Sequence, residues 1–443
     1  MSETPKRDSG TAPNTGPNDA GASASTDELF DAPLDRTGTA STKWDRYAGR
    51  DVLPFWVADM EFRAPQPIID ALHARIDHGV FGYTVTPPSL NEAAIEFLHD
   101  RYGWQVDPAW LVWIPGVVPG FNLACRAVTQ PGDAVMTATP IYYPFLAAPG
   151  NAGCTRIETP LMRETSAATA IGGAGEKTAE RTAAKTAGKT AEETGERSRW
   201  VMDFDALEAA ITDRTRLFML CNPHNPTGRV YERGELETLA GIAERHDLVL
   251  CSDEIHAELV LDADRSHLPI ASLDAGIAQR TITLIAPTKT FNIPGLSCAC
   301  AVIPDPQLRR RFRHAGAGLL AGIGPLGFAA AEAAWRYGEP WRQRLLAVLR
   351  RNRDRLQAAV DGWPGMSMTH VEATCLAWID ARGTGIDDPQ AFFEAAGVGL
   401  SPGPQFAGDH GAGVGFVRFN FGCQASMLEV GIERMDAALA ARG

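Results

Sequence analysis

The stretch LIAPTKTFNIPGL, residues 284–296, carries Lys289, and no other lysine follows Lys189 in the 443-residue chain. The chain draws nearly all its positive charge from arginine, with 35 Arg against 6 Lys. Lys6 falls in a polar tail, and Lys177, Lys185 and Lys189 fall in a low-complexity tract, which leaves Lys43 and Lys289 for the compact part of the molecule. Arginine serves as well as lysine as a surface cation. It does not serve as a nucleophile, because guanidinium stays protonated whereas an amine can lose its proton and condense with a carbonyl. Holding that amine neutral at pH 7 costs roughly 4.6 kcal/mol in water, a cost that burial and a neighbouring cation reduce. A retained lysine in a Pro- and Gly-bounded loop is therefore a candidate for carbonyl chemistry, against the plain reading of a surface loop residue.

The runs that lead into such loops set the fold class. LVWI (111–114), AVMTAT (134–139), RLFMLC (216–221), LVLCS (248–252), TITLIA (281–286) and CACAVI (298–303) are bounded by Gly, Pro, Asn or Asp and are mostly too apolar for half-exposed strands. Alternating with helical stretches, they predict a mainly parallel sheet sandwiched by helices, an α/β fold. PQPIIDALHARI (65–76) predicts one of those helices, with Ile68, Leu72 and Ile76 on one face. After about Pro304 the pattern changes to Arg-rich helices around WRQRLLAVLRRNRDRLQAAV (341–360), then CLAWID and GFVRFNF. The expected organisation is a tail over 1–33, a large domain over 34–304 and a smaller α+β C-terminal domain over 305–443. Residues 1–33 have few large apolar groups to offset the entropy of ordering and are expected to be disordered. The Thr/Ala/Glu/Lys-rich tract 164–199 is expected to be an exposed insertion with marginal helical character.

A formal net charge of −13 and a pI near 5.3 argue against nucleic-acid or anionic-membrane partners. The eight cysteines are scattered, with no Cys-x-x-Cys pair and no zinc-type spacing, so free thiols in a reducing cytoplasm are expected and no metal site. No apolar signal-peptide core opens the chain. The uncharged run GAGLLAGIGPLGFAAA from Gly316 is too short and too rich in Gly and Pro to span a bilayer.

Three apolar runs end in polar turns: RLFMLC in NPHNPTG (222–228), LVLCS in DEIH (253–256), TITLIA in PTK (287–289). Ligands of open parallel sheets bind at the carboxyl ends of the strands, so Asn225, Asp253 and Lys289 are expected to converge. A lysine that can form a Schiff base, an acid to face a ring nitrogen and donors for a phosphate are the groups that hold pyridoxal 5′-phosphate. Asp253 keeps such a ring protonated through a charge-assisted hydrogen bond. Taken alone, Asp253 reads as an N-cap or turn residue. In WIPGVVPGFNLACRAV, the amides of Gly116, Val117 and Val118 precede a helix and suit a phosphate at its positive end. Tyr142, in TPIYYPF, is placed to stack on a ring or simply to pack.

NPHNPTG, SDEIH and TKTFNIPGL, in that order and spacing, resemble the fold type I pyridoxal-phosphate enzymes of the class I/II aminotransferase superfamily. KWDRY (43–47), LPFWVADMEF (53–62), GVFGYT (79–84), PGVVPG (115–120), YGEPW (337–341) and VRFNFGC (417–423) resemble one branch of it, the MalY/PatB-type cystathionine β-lyases or C–S lyases. The similarity runs from about Arg36 to the C-terminus, interrupted by 164–199.

The resemblance implies that Lys289 anchors the cofactor aldehyde, Asp253 meets the pyridine nitrogen, Asn225 and His256 serve the ring oxygen and Tyr142 stacks. Arg418 is implied to hold the substrate α-carboxylate as a bidentate fork. Tyr83 is implied to reach the phosphate of the neighbouring subunit in a homodimer. Three positions depart from the pattern. Ala286 replaces a phosphate-binding serine, leaving Thr288 to compensate. Ser297 replaces the phosphate-binding arginine of typical aminotransferases, a change that matches the lyase branch. Cys375 stands where the branch usually has tyrosine. The expected activity is β-elimination from L-cystathionine or related S-substituted L-cysteines to a thiol, pyruvate and ammonia. The rivals are an aminotransferase and, from another class, a regulatory protein that keeps the fold without catalysis.

Overall fold

The computed structural model describes residues 26–167, 196–411 and 413–442. Seven strands build the main sheet: β1 (Leu111–Ile114), β2 (Ala134–Thr139), β3 (Thr155–Pro160), β4 (Thr215–Cys221), β5 (Val249–Asp253), β6 (Thr281–Ile285) and β7 (Ala299–Val302). Their spatial order is β1-β7-β6-β5-β4-β2-β3. β7 pairs antiparallel with β1 and β6, and every other pairing is parallel. The apolar runs are nearly continuous because both faces are covered. Leu217 and Met219 of β4 face one core with Phe121 and Phe145, while Phe218 and Leu220 face another with Leu236 and Ile242.

A second sheet of β8 (Ser367–Met368), β9 (Leu376–Asp380), β10 (Ser401–Pro402) and β11 (Phe416–Asn420) is antiparallel throughout, in the order β8-β9-β11-β10. The long helix Glu339–Gly362 buries Leu345, Leu349 and Leu356 in a core shared with Val417 and Phe419 of β11.

The contacts divide the chain differently from its linear pattern. The N-terminal segment packs with the second sheet: Phe55 stacks on Phe419 at 4.4 Å between ring centroids, and Leu53–Pro54 pairs parallel with Val398–Gly399. The helix Pro306–Gly316, expected in the C-terminal domain, buries Leu308 and Phe312 against Phe121 and Ile303 in the main-sheet core. Sequence distance from the strands had hidden this, because a helix docks wherever its apolar face finds a partner.

Two further expectations need correction. Residues Thr26–Asp31, placed in a disordered tail over 1–33, form a helix. Phe30 is buried between Phe62 and Trp341, at 5.1 and 5.2 Å between centroids, and Asp31 pairs with Arg351. One aromatic anchor outweighs the ordering entropy of so short a segment. At the two ends of the 164–199 tract, expected to be marginal helix, residues Met162–Ala167 and Glu196–Val201 pair as antiparallel strands. The rest of that tract, like residues 1–25, lies outside the described residues. In the helix Gln66–Asp77, Ile68 is buried and Leu72 packs on the core, but Ile76 is half exposed. No described helix is long and apolar enough to cross a membrane.

Candidate active site

The parallel strands deliver their turns to one place. Cys221 of β4 pairs level with Asp253 of β5, which pairs with Leu284 of β6, so the segments carrying Asn225 and Lys289 leave the sheet side by side. Lys289, Asp253, Asn225, His256 and Tyr142 line a single cavity of about 230 Å³. Gly116, Val117, Val118 and Thr288 line it as well.

The helix Val117–Val128 begins at this cavity, and Gly116 caps it with φ of 125°, a left-handed conformation that favours glycine. The turn thereby brings the free amides of the first helical turn to the cavity wall, where the helix dipole adds positive potential. Thr288 is the side-chain hydroxyl beside them. Ala286 is buried at the end of β6 and offers no donor. Ser297 sits exposed at a left-handed turn and does not line the cavity.

Charge is distributed unevenly. Asp253 is buried and accepts a hydrogen bond from the Ile255 amide at 3.1 Å, yet it makes no ion pair among the described residues. Burial drives its carboxyl up to about 7, with Glu254 adding to the rise and the Ile255 amide and Lys289 opposing it. Glu254, its neighbour, faces away and is satisfied by His267 at 2.8 Å and Ser252 at 2.8 Å. Lys289 donates from Nζ to the Ala58 carbonyl at 3.2 Å, and burial lowers its amine below the ordinary lysine range. His256 is driven down to about 3 by burial, then by Lys289 and Arg418, so its imidazole is neutral. Its Nδ1 is buried without a hydrogen-bond partner.

Arg418 does not line this cavity but is joined to it. It stands in the middle of β11, opposite Trp378 and Ser401, and its Nη1 donates to Asn225 Oδ1 at 3.0 Å. Nη2 donates to the Trp56 carbonyl at 2.7 Å and to Ser401 Oγ at 3.2 Å. Nε is buried and unpartnered, no carboxylate of the described residues pairs with the guanidinium, and burial lowers its pKa to about 10. The guanidinium lies over the Phe406 ring at 4.7 Å.

Tyr83 is elsewhere. Its side chain is fully exposed in the irregular segment between two helices, and it does not reach the cavity of its own chain. The motif LPFWVADMEF carried Trp56 and Ala58 without an assigned role, and their carbonyls receive Arg418 and Lys289; Ser401 lies outside every quoted motif. Cavity-lining Cys221 escaped notice because a cysteine inside an apolar strand has no distinguishing pattern. Cys375 is buried beside this centre; burial pushes its thiol up to about 11, against the opposing pull of Lys43, Lys289 and Arg418.

Comparison with known proteins gives three findings. The family model described as aminotransferase class I and II matches residues 50–435. The chain is 34% identical over 423 residues to cystathionine beta-lyase PatB of Bacillus subtilis (strain 168), covering 93% of this chain and 99% of that relative. Among solved structures, OvoB aligns at TM-score 0.82 with 45% identity, covering 93% of this chain and 99% of its own. Cystalysin from Treponema denticola, whose crystal structure contains a pyridoxal 5′-phosphate cofactor, aligns at TM-score 0.82 with 30% identity, covering 94% and 99%.

The unpaired state of Asp253 predicts a pH effect on the ligand-free protein. Its folded pKa of about 7 exceeds the ordinary 3.8, so the native state keeps a proton that the unfolded chain releases, and stability falls as pH rises from about 4 to 7. At about 1.4 kcal/mol per pH unit the accumulated loss is about 4 kcal/mol. Asp253→Asn should therefore raise the urea midpoint at pH 8 and leave it nearly unchanged at pH 4. A gap independent of pH would contradict this account.

Proposed function

The chain belongs to the class I and II aminotransferase family, in its MalY/PatB-like branch, and from that premise we propose that it is a pyridoxal-phosphate-dependent carbon–sulfur β-lyase. Its proposed substrates are L-cystathionine or related S-substituted L-cysteines, cleaved to a thiol, pyruvate and ammonia. One observation carries the reading at the level of residues: a buried carboxylate without a cation and a buried guanidinium without an anion flank one lysine. An unpaired buried charge costs several kcal/mol, so each defines the ligand that would relieve it.

The residues fit the cofactor. The protonated ring nitrogen is the cation that Asp253 lacks, and the neutral, unpartnered His256 Nδ1 is a free site for the ring oxygen beside Asn225. Amides of Gly116, Val117 and Val118, with the Thr288 hydroxyl, suit the phosphate, and Tyr142 is the ring partner. Bound there, pyridoxal phosphate supplies the electron sink that stabilises a carbanion at the substrate α-carbon.

The rest is the work of this chain. Lys289 would anchor the cofactor, and its Nζ would take the α-proton of the bound substrate. Burial favours the neutral amine this requires, and the short tether keeps it in place. Arg418 takes the α-carboxylate, for which its unpartnered Nε is available. Asn225, Ser401 and the Trp56 carbonyl hold the guanidinium so that its orientation is set before substrate arrives. Expulsion of the β-sulfur then needs no keto-acid co-substrate, which is where elimination departs from transamination.

A homodimer is part of the proposal. Val80, Phe81, Tyr83 and Val85 form an exposed apolar run, which suits a second copy, and Tyr83 would then serve the phosphate of that copy. The Ala286 and Ser297 departures make such an outside donor more valuable.

Incubation with cystathionine alone tests the activity: continuous pyruvate release means elimination, whereas a half-reaction that waits for a keto acid means transamination. Lys289→Ala should lose both turnover and the visible absorption of bound cofactor. For Arg418→Ala we expect kcat/KM to fall about 100-fold or more, as for removal of a buried charge partner; an unchanged value would place the carboxylate elsewhere. Tyr83→Phe should weaken cofactor retention in the dimer, measured by dialysis, and equal retention would remove Tyr83 from the phosphate site.

A further inference from the structure

Lys289 borders two cavities. Besides the one already described, it and Pro294 line a second of about 620 Å³, walled by Arg36, Lys43, Asp59 and Asn292. The division runs through adjacent residues: Ala58 lines the first cavity and Asp59 the second, with Lys289 Nζ donating to the Ala58 carbonyl between them. The motifs KWDRY and LPFWVADMEF meet here, and their charges form a rigid frame. Lys43 is buried and bonds the Asp59 carbonyl at 2.8 Å and Glu61 at 2.7 Å. Arg36 donates to Asp59 Oδ2 at 2.6 Å and to Glu61 at 3.1 Å. Asn292 pins this segment by hydrogen bonds to Met60 and Phe62.

The frame leaves one acceptor over. Arg36, Lys43 and Asn292 spend their donors on protein oxygens, whereas Asp59 Oδ1 is buried without a partner. A buried carboxylate oxygen of this kind attracts a donor, and a cationic one most strongly.

We propose that this second cavity receives the sulfur substituent of the substrate, and that Asp59 selects substituents ending in a protonated nitrogen. The inference rests on the lyase reading. With the α-carboxylate on Arg418 and the α-hydrogen toward Lys289, the chain beyond the β-carbon needs space that continues past the lysine. The second cavity is the space that shares the lysine. Arg36, Lys43 and Asn292 are held by protein oxygens, and a purely aliphatic terminus leaves Asp59 Oδ1 unsatisfied.

S-(2-Aminoethyl)-L-cysteine and S-propyl-L-cysteine are nearly isosteric and differ in that terminal group. With the holoenzyme, pyruvate release should give a kcat/KM at least tenfold higher for the aminoethyl compound, about 1.4 kcal/mol. Asp59→Asn keeps the shape and removes the charge, and should bring the ratio to within about threefold of unity. Equal rates for the two thioethers in the native enzyme would overturn the subsite and leave the lyase reading intact, and this comparison does not depend on the variant folding. An unchanged preference in a folded Asp59→Asn variant would likewise overturn the role of Asp59. No pyruvate from either thioether or from cystathionine overturns the lyase reading, and this inference with it.

Discussion

The structure is organised around two opposite charges that the protein buries and does not pair with one another. Asp253 stands at the end of a central strand, and Arg418 in the middle of a strand of the other sheet, with Lys289 between their fields. Evolution toward stability alone would replace such groups by apolar ones or let them meet, because an uncompensated buried charge opposes folding. The surrounding frame instead holds them apart. Asn225 takes one guanidinium nitrogen, the Trp56 carbonyl and Ser401 take another, and the Ile255 amide takes one carboxylate oxygen. What these contacts leave open is a cation site and an amine of lowered basicity at one cavity, with an anion site joined to it through Asn225. Those are the requirements of a proton abstraction next to an amino-acid carboxylate.

Each sheet contributes what its geometry allows. The parallel sheet gathers turns at one end, which brings Asn225, Asp253 and Lys289 together from positions far apart in sequence. It has no means of presenting a guanidinium from above those turns. The antiparallel sheet provides that, because Arg418 on β11 is braced by its cross-strand neighbour Ser401. The N-terminal segment completes the enclosure. Its Trp56 and Ala58 carbonyls receive the guanidinium and the amine, and Asn420 holds it to β11 through the Val57 and Asp59 carbonyls. The site is thus assembled from three parts of the chain, and the loss of any one removes a wall and a ligand together.

Lys43, the other lysine of the compact part, has a different role from Lys289. Its amine is buried against Glu61 and the Asp59 carbonyl, and with Arg36 it fixes the segment that carries Asp59. A counted residue type therefore pointed to two positions of distinct function, one chemical and one architectural.

Much was legible in the sequence because local physics encodes it. Strand runs that are apolar on both faces, turns of Asn, Pro and Gly at their ends, and a lysine where arginine would otherwise serve all depend on residues close together in the chain. They sufficed for the α/β class and for the meeting of Asn225, Asp253 and Lys289 at one cavity. The antiparallel direction of β7, the docking of Pro306–Gly316 on the main-sheet core and the helix anchored by Phe30 were not legible, since each depends on which distant surface an apolar face meets. The same holds for the carbonyls of Trp56 and Ala58, because every residue has a carbonyl and only the fold selects two of them. The sequence by itself determined which chemical groups this protein has to work with. The tertiary structure alone decided which of them stay unpaired, because pairing depends on distance in space, and an unpaired buried charge is what gives the cavity its demand for a ligand.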